Sequence, residues 1–155
     1  MPNNGSVHSI HITAVASEPT VSVEEVRAVA GQGLEGDRYF SGNGYYSKTP
    51  GTGRQVTLIE VETIEALERD YKLKIEPGQA SRNIVTRGVA LNHLVGREFS
   101  AGEVVLRGMR LNEPCNHLAG LTDEKVKQGL VHRGGLRADI VSGGVIRVGD
   151  EVRVE

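Results

Sequence analysis

Cys115, the only cysteine in a chain of 155 residues, is the residue best suited to chemistry. It follows Pro114, at the point where a strand-like run that includes Leu111 stops. A proline-terminated loop on a rigid scaffold can present a thiol to a ligand, whereas a free cysteine is usually a small buried apolar residue. Cys115 and His117 lack any common zinc spacing, and the signatures of cysteine proteases and amidases are absent. We therefore treat Cys115 as a candidate functional thiolate, with an inert buried residue as the alternative.

A second group with chemical potential is the run from Ser81 to Thr86, which places an arginine and an amide beside a short strand. Strand alternation predicts that Arg82 and Thr86 face one way and that Asn83 faces the other. A phosphate site would use the guanidinium of Arg82, because its planar fork matches anionic oxygens. The alternative is a surface arginine in a sheet, and the residues alone leave both open.

The glycines from Gly31 to Gly36 match the dinucleotide-binding pattern G-x-G-x-x-G. That function requires a helix to begin at the turn, so that its first amides bind the pyrophosphate. The residues that follow, 37–44, have no helical pattern, and we therefore reject a Rossmann site. The glycines instead predict a tight hairpin that fixes Asp37 and Arg38.

The elements that position these residues are mostly strands. Twenty glycines, with short β-branched runs between them, are typical of a strand-rich domain with many tight turns. The predicted strands are Val7–Val15, Val21–Val29, Arg54–Ile59, Asn83–Thr86, Glu103–Leu111, Ala138–Val141, Val145–Val148 and Glu151–Val154. Hairpin turns are predicted at Ser142-Gly143-Gly144 and at Gly149-Asp150. Stretches 99–106 and 146–153 each place a glycine and an acid at a turn, which predicts two similar barrel corners.

Helices are the minority. The segment Glu60–Tyr71 is predicted to be a helix whose glutamates point to solvent. Its apolar stripe consists of Val61, Ile64, Leu67 and Tyr71. A second, short helix is predicted to begin after Thr122 as its N-cap and to end near Gly129. His8 and His11 are predicted to lie on opposite sides of the first strand, at the surface.

The composition excludes several classes of protein. The length predicts one domain, residues 1–155, and a single cysteine excludes an intramolecular disulfide. The net charge of −2 gives no general attraction to nucleic acid or to an anionic membrane, and no apolar run is long enough to cross a bilayer. The first residues do not have the pattern of a signal peptide, so we expect a cytoplasmic protein. Arginine outnumbers lysine by 13 to 5, which favours an anion site formed by loop arginines.

Several short motifs follow one another along the chain. They are Gly33–Arg38, Arg54–Ile59, Ser81–Thr86, Val95–Phe99, Leu111–Cys115 and the tail from Arg133 to Val152. Taken together, they resemble the MOSC domain, the C-terminal domain of molybdenum cofactor sulfurase, and in particular its short stand-alone members. The resemblance covers most of the chain. It implies a mainly β fold, a closed mixed β-barrel with two or three short helices.

The resemblance also implies roles for named residues. The cysteine that matches Cys115 is the sulfur-bearing or molybdenum-ligating residue of the family. The predicted cofactor-binding residues are Arg38, Arg54, Arg82, Asn83, Thr86, Asn112 and Glu113. Of these, Arg38 and the Arg82-Asn83 pair resemble residues that approach the phosphate and ring of the pterin. We expect no pyridoxal phosphate in this chain, because the pyridoxal-phosphate domain of the sulfurases has no counterpart in it.

Two kinds of chemistry and one kind of binding follow from the resemblance. We expect a molybdenum-cofactor-binding protein with Cys115 as metal ligand, which reduces N-hydroxylated small molecules by two electrons taken from an electron-donor protein. The alternative is a sulfur carrier, in which a cysteine desulfurase delivers a persulfide to Cys115 for cofactor or metal–sulfur assembly. A third hypothesis is a barrel that binds an anionic ligand without chemistry. The sequence therefore leaves open whether the protein is an oxidoreductase, a sulfur-transfer protein or a binding protein.

Overall fold

A computed structural model describes residues 5–13, 20–37, 55–72, 74–75, 82–112 and 134–154. The strands in these ranges are β1 Gly5–Ile12, β2 Val21–Val23, β3 Glu25–Val29, β4 Gly33–Leu34, β5 Val56–Glu60, β6 Ile84–Arg87, β7 Glu98–Ala101, β8 Val104–Leu111, β9 Leu136–Ser142, β10 Gly144–Arg147 and β11 Glu151–Val154. The helices are α1, Val61–Tyr71, and a 3₁₀ helix, Leu91–Leu94. The predicted helix after Thr122 lies outside the described residues.

The main sheet closes into a barrel of seven strands. Its order is β11, β7, β8, β9, β5, β6 and β1, and the pairing of β1 with β11 at Gly5↔Val152 closes it. Within the described strands, β5 and β6 form the parallel pair and the other pairs are antiparallel. A parallel pair needs a crossover connection, and α1 lies in this one. The predicted closed, mixed, mainly β barrel is therefore confirmed.

The hydrophobic core has two parts, one inside the barrel and one beneath α1. The interior contains alternate strand residues such as Ile10, Leu58 and Ile84, while Ile59 and Val85 point outward and pack against the helix. The predicted apolar stripe of α1 is buried except at its end, because Tyr71 is 41% exposed. No helix in the described ranges is long and apolar enough to cross a membrane.

Glu65 and Glu68 of α1 are exposed, as predicted, whereas Glu62 is half-buried. Glu62 accepts a hydrogen bond of 2.8 Å from the backbone N–H of Gly88, and Glu65 lies 3.2 Å from the guanidinium of Arg87. Both contacts join the helix to the end of β6. The acidic face of α1 therefore also anchors the strand that begins at the predicted site.

A second sheet, of order β10, β3 and β4, corrects two predictions. The predicted strand Val21–Val29 is two strands in different sheets, since β2 pairs with β1 and β3 pairs with β10. The two predicted hairpins around β10 are wrong, because its described partner is β3, whereas β9 and β11 belong to the barrel. The glycines at these turns move the chain from one sheet to the other. The corner at Gly102 does join an antiparallel pair, β7 and β8.

Candidate functional site

Asn83, fully buried, joins three strands of the barrel at the point where β6 begins. Its side-chain oxygen accepts hydrogen bonds of 3.1 Å from both the backbone N–H and the hydroxyl of Thr57 on β5. Its Nδ2 donates to the carbonyl of His11 on β1, at 3.2 Å. The backbone of Asn83 pairs with the same two residues, accepting from His11 N at 2.7 Å and donating to Thr57 O at 3.1 Å. This amide therefore fixes the backbone immediately after Arg82.

Arg82 is 7% exposed, so the alternative of a surface arginine is wrong. Its Nε donates to the carbonyl oxygen of Gly134 at 2.8 Å, and its Nη2 donates to the carbonyl oxygen of Asn112 at 3.2 Å. A guanidinium can make both bonds at once because its donors are held in one rigid plane. These two carbonyls lie at either boundary of residues 113–133, which are outside the described structure. The role of Arg82 toward a phosphate stays a prediction.

Asn112 stands at the end of β8, 3% exposed, three residues before Cys115. Its backbone N–H donates to Gly135 O at 2.8 Å, which ties the end of β8 to the start of β9. Its carbonyl accepts from Arg82. Within the described part of the chain, its buried Nδ2 has no hydrogen-bond partner. A buried amide donor in this condition costs about 1–3 kcal/mol, which an acceptor on a ligand would recover.

The predicted thiolate lies near this amide by covalent geometry alone. Cys115 and Glu113 are outside the described residues. Three residues of extended chain span at most about 11 Å, so the Cα of Cys115 lies within that distance of the Cα of Asn112. The structure thus brings the described residues Arg82 and Asn112 together near the candidate thiolate.

The glycine-rich turn at residues 31–36 is connected to the contacts of Asn83 through β1. The predicted tight hairpin is formed by β3 and β4, with Gln32 N donating to Val29 O at 3.0 Å. Beyond it, the fully buried carboxylate of Asp37 accepts a hydrogen bond of 3.2 Å from the backbone N–H of Thr13. Arg38 is outside the described residues, but its Cα lies about 3.8 Å from that of Asp37. Thr13 follows His11 by two residues, so β1 connects this turn to the Asn83 contacts.

His11 corrects another prediction, because it is 6% exposed rather than at the surface. A bulge between Val7 and Ser9 sets its direction, and it lies on the outer side of the barrel beside Asn83. Alternation predicts the side of a strand but not whether that side is covered. The ring Nε2 lies 2.8 Å from the hydroxyl of Ser9. Burial, and secondly the charge of His8, lowers the pKa of His11, which favours a neutral ring.

A buried arginine on β9, Arg137, lies on the same outer side of the barrel as His11 and Asn83. It was missing from the predicted site. Arg137 is in register with Thr57 on one side and with Arg110 on the other, and it is buried. The sequence contains no signal of this burial, since Arg137 stands between Leu136 and Ala138, which both face the barrel interior, and that alternation is also typical of an exposed residue. Two arginines opposite each other on neighbouring strands repel, and a negative charge near them reduces this repulsion.

Two predicted residues stand apart from these contacts. Thr86 is fully buried in the barrel, opposite Val7 on β1, and its hydroxyl has no hydrogen-bond partner among the described residues. Arg54 is outside the described residues. Their roles toward a cofactor stay predictions.

A comparison with protein families decides which fold family this is. The family model for the MOSC domain matches residues 45–153. The chain belongs to the MOSC family. The resemblance inferred from the motifs is therefore confirmed, and the family is linked to the molybdenum cofactor. The matched range includes Arg82, Asn112 and Cys115, whereas the glycine turn and Arg38 precede it.

Solved structures give the same architecture for this MOSC protein. The crystal structure of the YuaD protein from Bacillus subtilis superposes with a TM-score of 0.80 at 16% identity, over 97% of this chain and 95% of that chain. YiiM from Geobacillus stearothermophilus gives 0.75 at 14% identity, over 97% of this chain and 75% of that one. YiiM from Escherichia coli gives 0.68 at 18% identity, over 96% and 69%. A search of curated proteins found no match. At these identities the structural likeness shows the fold alone.

The residues of this MOSC site fit the cofactor that the family implies. The described part of the site offers the buried N–H donor of Asn112 Nδ2 and the positive charge of the buried guanidinium groups of Arg82 and Arg137. The molybdenum-binding pterin presents the complementary groups, which are ring and phosphate acceptors. No cluster of three or more histidine, cysteine or acidic residues that could hold a metal ion by itself occurs in the described ranges.

Proposed function

We propose that this MOSC protein binds the molybdenum cofactor, with the thiolate of Cys115 as a ligand to molybdenum. Family membership supports the class of cofactor, and the donors around Asn112 support its place in the fold. A thiolate suits this metal because soft sulfur donors are its common partners in proteins. Bound there, the cofactor would supply two-electron redox chemistry, and the resemblance favours reduction of N-hydroxylated small molecules with electrons from a separate donor protein.

The observation that carries the proposal is the buried carboxamide of Asn112. Its Nδ2 points to no acceptor in the described structure, although the same residue's backbone groups are both bonded. Native proteins rarely leave a buried donor in this state, and those that occur often belong to binding sites. An acceptor on the pterin or its phosphate would satisfy Nδ2, close to the place that Cys115 can reach.

The chain's own residues have separate tasks in this proposal. Asn112 donates a hydrogen bond that orients the ligand. Arg82 and Arg137 contribute positive charge, which favours both an anionic ligand and the thiolate form of Cys115. Asn83 holds the backbone between Arg82 and β6 by its bonds to Thr57 and His11. The burial of these groups excludes water from the polar contacts, which strengthens each of them.

A conservative substitution tests the role of Asn112. Asn112→Asp keeps the size of the side chain but replaces the donor by an oxygen, and it adds a negative charge beside the proposed ligand. We expect protein purified from a host that makes the cofactor to lose most of its molybdenum. Asn92→Asp is the matched control, because Asn92 is exposed in the 3₁₀ helix, and it should keep the wild-type content.

Two results would contradict the proposal. Equal molybdenum in wild type and Asn112→Asp would show that the amide does not contact the cofactor. If wild type contains no molybdenum but acquires cyanide-labile sulfur on Cys115 from a cysteine desulfurase and cysteine, the protein is a sulfur carrier instead.

A further inference from the structure

We infer that Arg82 is a positioning residue, which holds the two chain boundaries of the Cys115 segment through their backbone carbonyls. This goes beyond contact with a phosphate, because the described hydrogen bonds of its guanidinium go to the main chain. The role of Arg82 in placing Cys115 as a metal ligand rests on the proposed function. Its restraint of the backbone at Asn112 and Gly134 does not depend on that function.

The geometry joins three parts of the fold at one side chain. Arg82 precedes β6, Asn112 ends β8, and Gly134 precedes β9. The bonds from Arg82 to the carbonyls of Gly134 and Asn112 measure 2.8 Å and 3.2 Å, and both are buried. The backbone bond from Asn112 N to Gly135 O already links the second and third parts. Arg82 therefore adds the connection to β6 that backbone pairing of these residues does not supply.

The chemistry requires arginine at this position. Nε and Nη2 are donors on one edge of a rigid plane, so they reach two separate acceptors without bending the side chain. A lysine carries its three N–H donors on one nitrogen at the end of a flexible stem, so it lacks the fixed planar spacing that matches these two separate carbonyls. Charge-assisted hydrogen bonds are also the stronger kind, and burial protects them from competition by water.

The consequence for Cys115 follows from the short length of chain between it and Asn112, whose carbonyl Arg82 binds. Only Glu113 and Pro114 separate it from Asn112, and the proline ring fixes one of the intervening backbone torsions. Fixing the carbonyl of Asn112 therefore removes much of the freedom of the thiol's position. A metal ligand must be held within about half an ångström of its productive place, so this restraint would be felt at the site.

Hydrogen exchange and thiol alkylation of the full chain, free of metal, test the inference. In wild type, the amide of Asn112 should be protected as strongly as that of Ile84 in β6, instead of exchanging like a frayed strand end. Arg82→Lys should speed exchange at Asn112 by about tenfold or more, the effect of losing one charge-assisted hydrogen bond. The same variant should change the pH profile of iodoacetamide reaction at Cys115. Arg87→Lys, at an exposed position on β6, is the matched control and should change neither.

The outcomes separate this inference from the proposed function. Unprotected exchange at Asn112 in wild type would overturn it even if Arg82→Lys failed to fold. It would also be overturned if Arg82→Lys bound less molybdenum but had wild-type exchange and alkylation, because Arg82 would then be a ligand contact alone. If wild type holds no molybdenum but the exchange and alkylation effects are found, the positioning role stands and the proposed cofactor does not.

Discussion

Replacing Asn83 by leucine should destabilise the whole barrel, because this one amide forms hydrogen bonds with buried groups on β5 and β1, the two strands that flank β6. The leucine side chain has a similar size, but it can neither accept from Thr57 nor donate to His11. The backbone N–H of Thr57 and the carbonyl of His11 would then lose the side-chain bonds of 3.1 Å and 3.2 Å. Both groups stay buried in the variant, so water would not replace the lost partner.

The magnitude follows from these two orphaned backbone groups. The Thr57 hydroxyl also loses its acceptor, but it still accepts a hydrogen bond of 3.0 Å from Asn83 N. Each buried polar group left without a partner costs about 1–3 kcal/mol, which gives roughly 2–6 kcal/mol for Asn83→Leu. A domain of this kind has about 5–15 kcal/mol of stability in total. Thr57→Val should cost less, about 1 kcal/mol, because Asn83 N keeps its second acceptor, the carbonyl of Thr57, at 3.1 Å.

Equilibrium unfolding in urea measures both effects, with far-UV circular dichroism as the probe. The double variant should lose less stability than the two single variants summed, since they remove a shared hydrogen bond. Asn92→Leu is the control at an exposed position, with an expected change within about 0.5 kcal/mol. A wild-type free energy of unfolding for Asn83→Leu, or simple addition of the two single effects, would show that the Asn83 amide does not stabilise these strands.

Three further predictions concern other parts of the fold. The lowered pKa of His11 means that the unfolded chain binds more protons, so stability should fall as pH drops below the ordinary histidine pKa of about 6.5; His11→Gln should flatten this part of the pH dependence of the urea midpoint. Gly135→Ala should destabilise by about 3 kcal/mol or more, because the new Cβ would overlap the backbone of β5, whereas Gly31→Ala, also at positive φ but with nothing near, should cost only about 1–2 kcal/mol in the same assay. Glu103→Ala should cost about 1 kcal/mol by thermal unfolding, because its carboxylate accepts a hydrogen bond of 2.9 Å from Val145 N on the outer edge of β10; no change would show that water replaces it.

The local features of the fold could be predicted from the sequence because they depend on neighbouring residues. Short β-branched runs between glycines predicted six of the seven barrel strands but missed β7, Glu98–Ala101, and the apolar stripe of α1 predicted the helix. The partner of β10 could not be predicted, because the turn glycines are equally compatible with a hairpin and with a passage to another sheet. That choice depends on β3, more than a hundred residues earlier in the chain.

The candidate site was predictable as a set of residues but not as a set of contacts. The motifs singled out Arg82, Asn83 and Asn112, and the structure places the first and the last of these in hydrogen-bond contact. The burial of Arg82 and of His11 depends on partners far away in sequence, such as Gly134 and Asn83. A pattern of neighbouring residues contains no information about such partners.

The molybdenum content of wild type and Cys115→Ser, both purified from a cofactor-producing host, shows whether the thiolate of Cys115 binds the metal. We expect about one atom per chain in wild type and almost none in the variant, because a protonated hydroxyl is a poor replacement for a thiolate ligand. Far-UV circular dichroism of both proteins serves as the folding control. Equal molybdenum in the two folded proteins would contradict the assignment of Cys115 as the metal ligand.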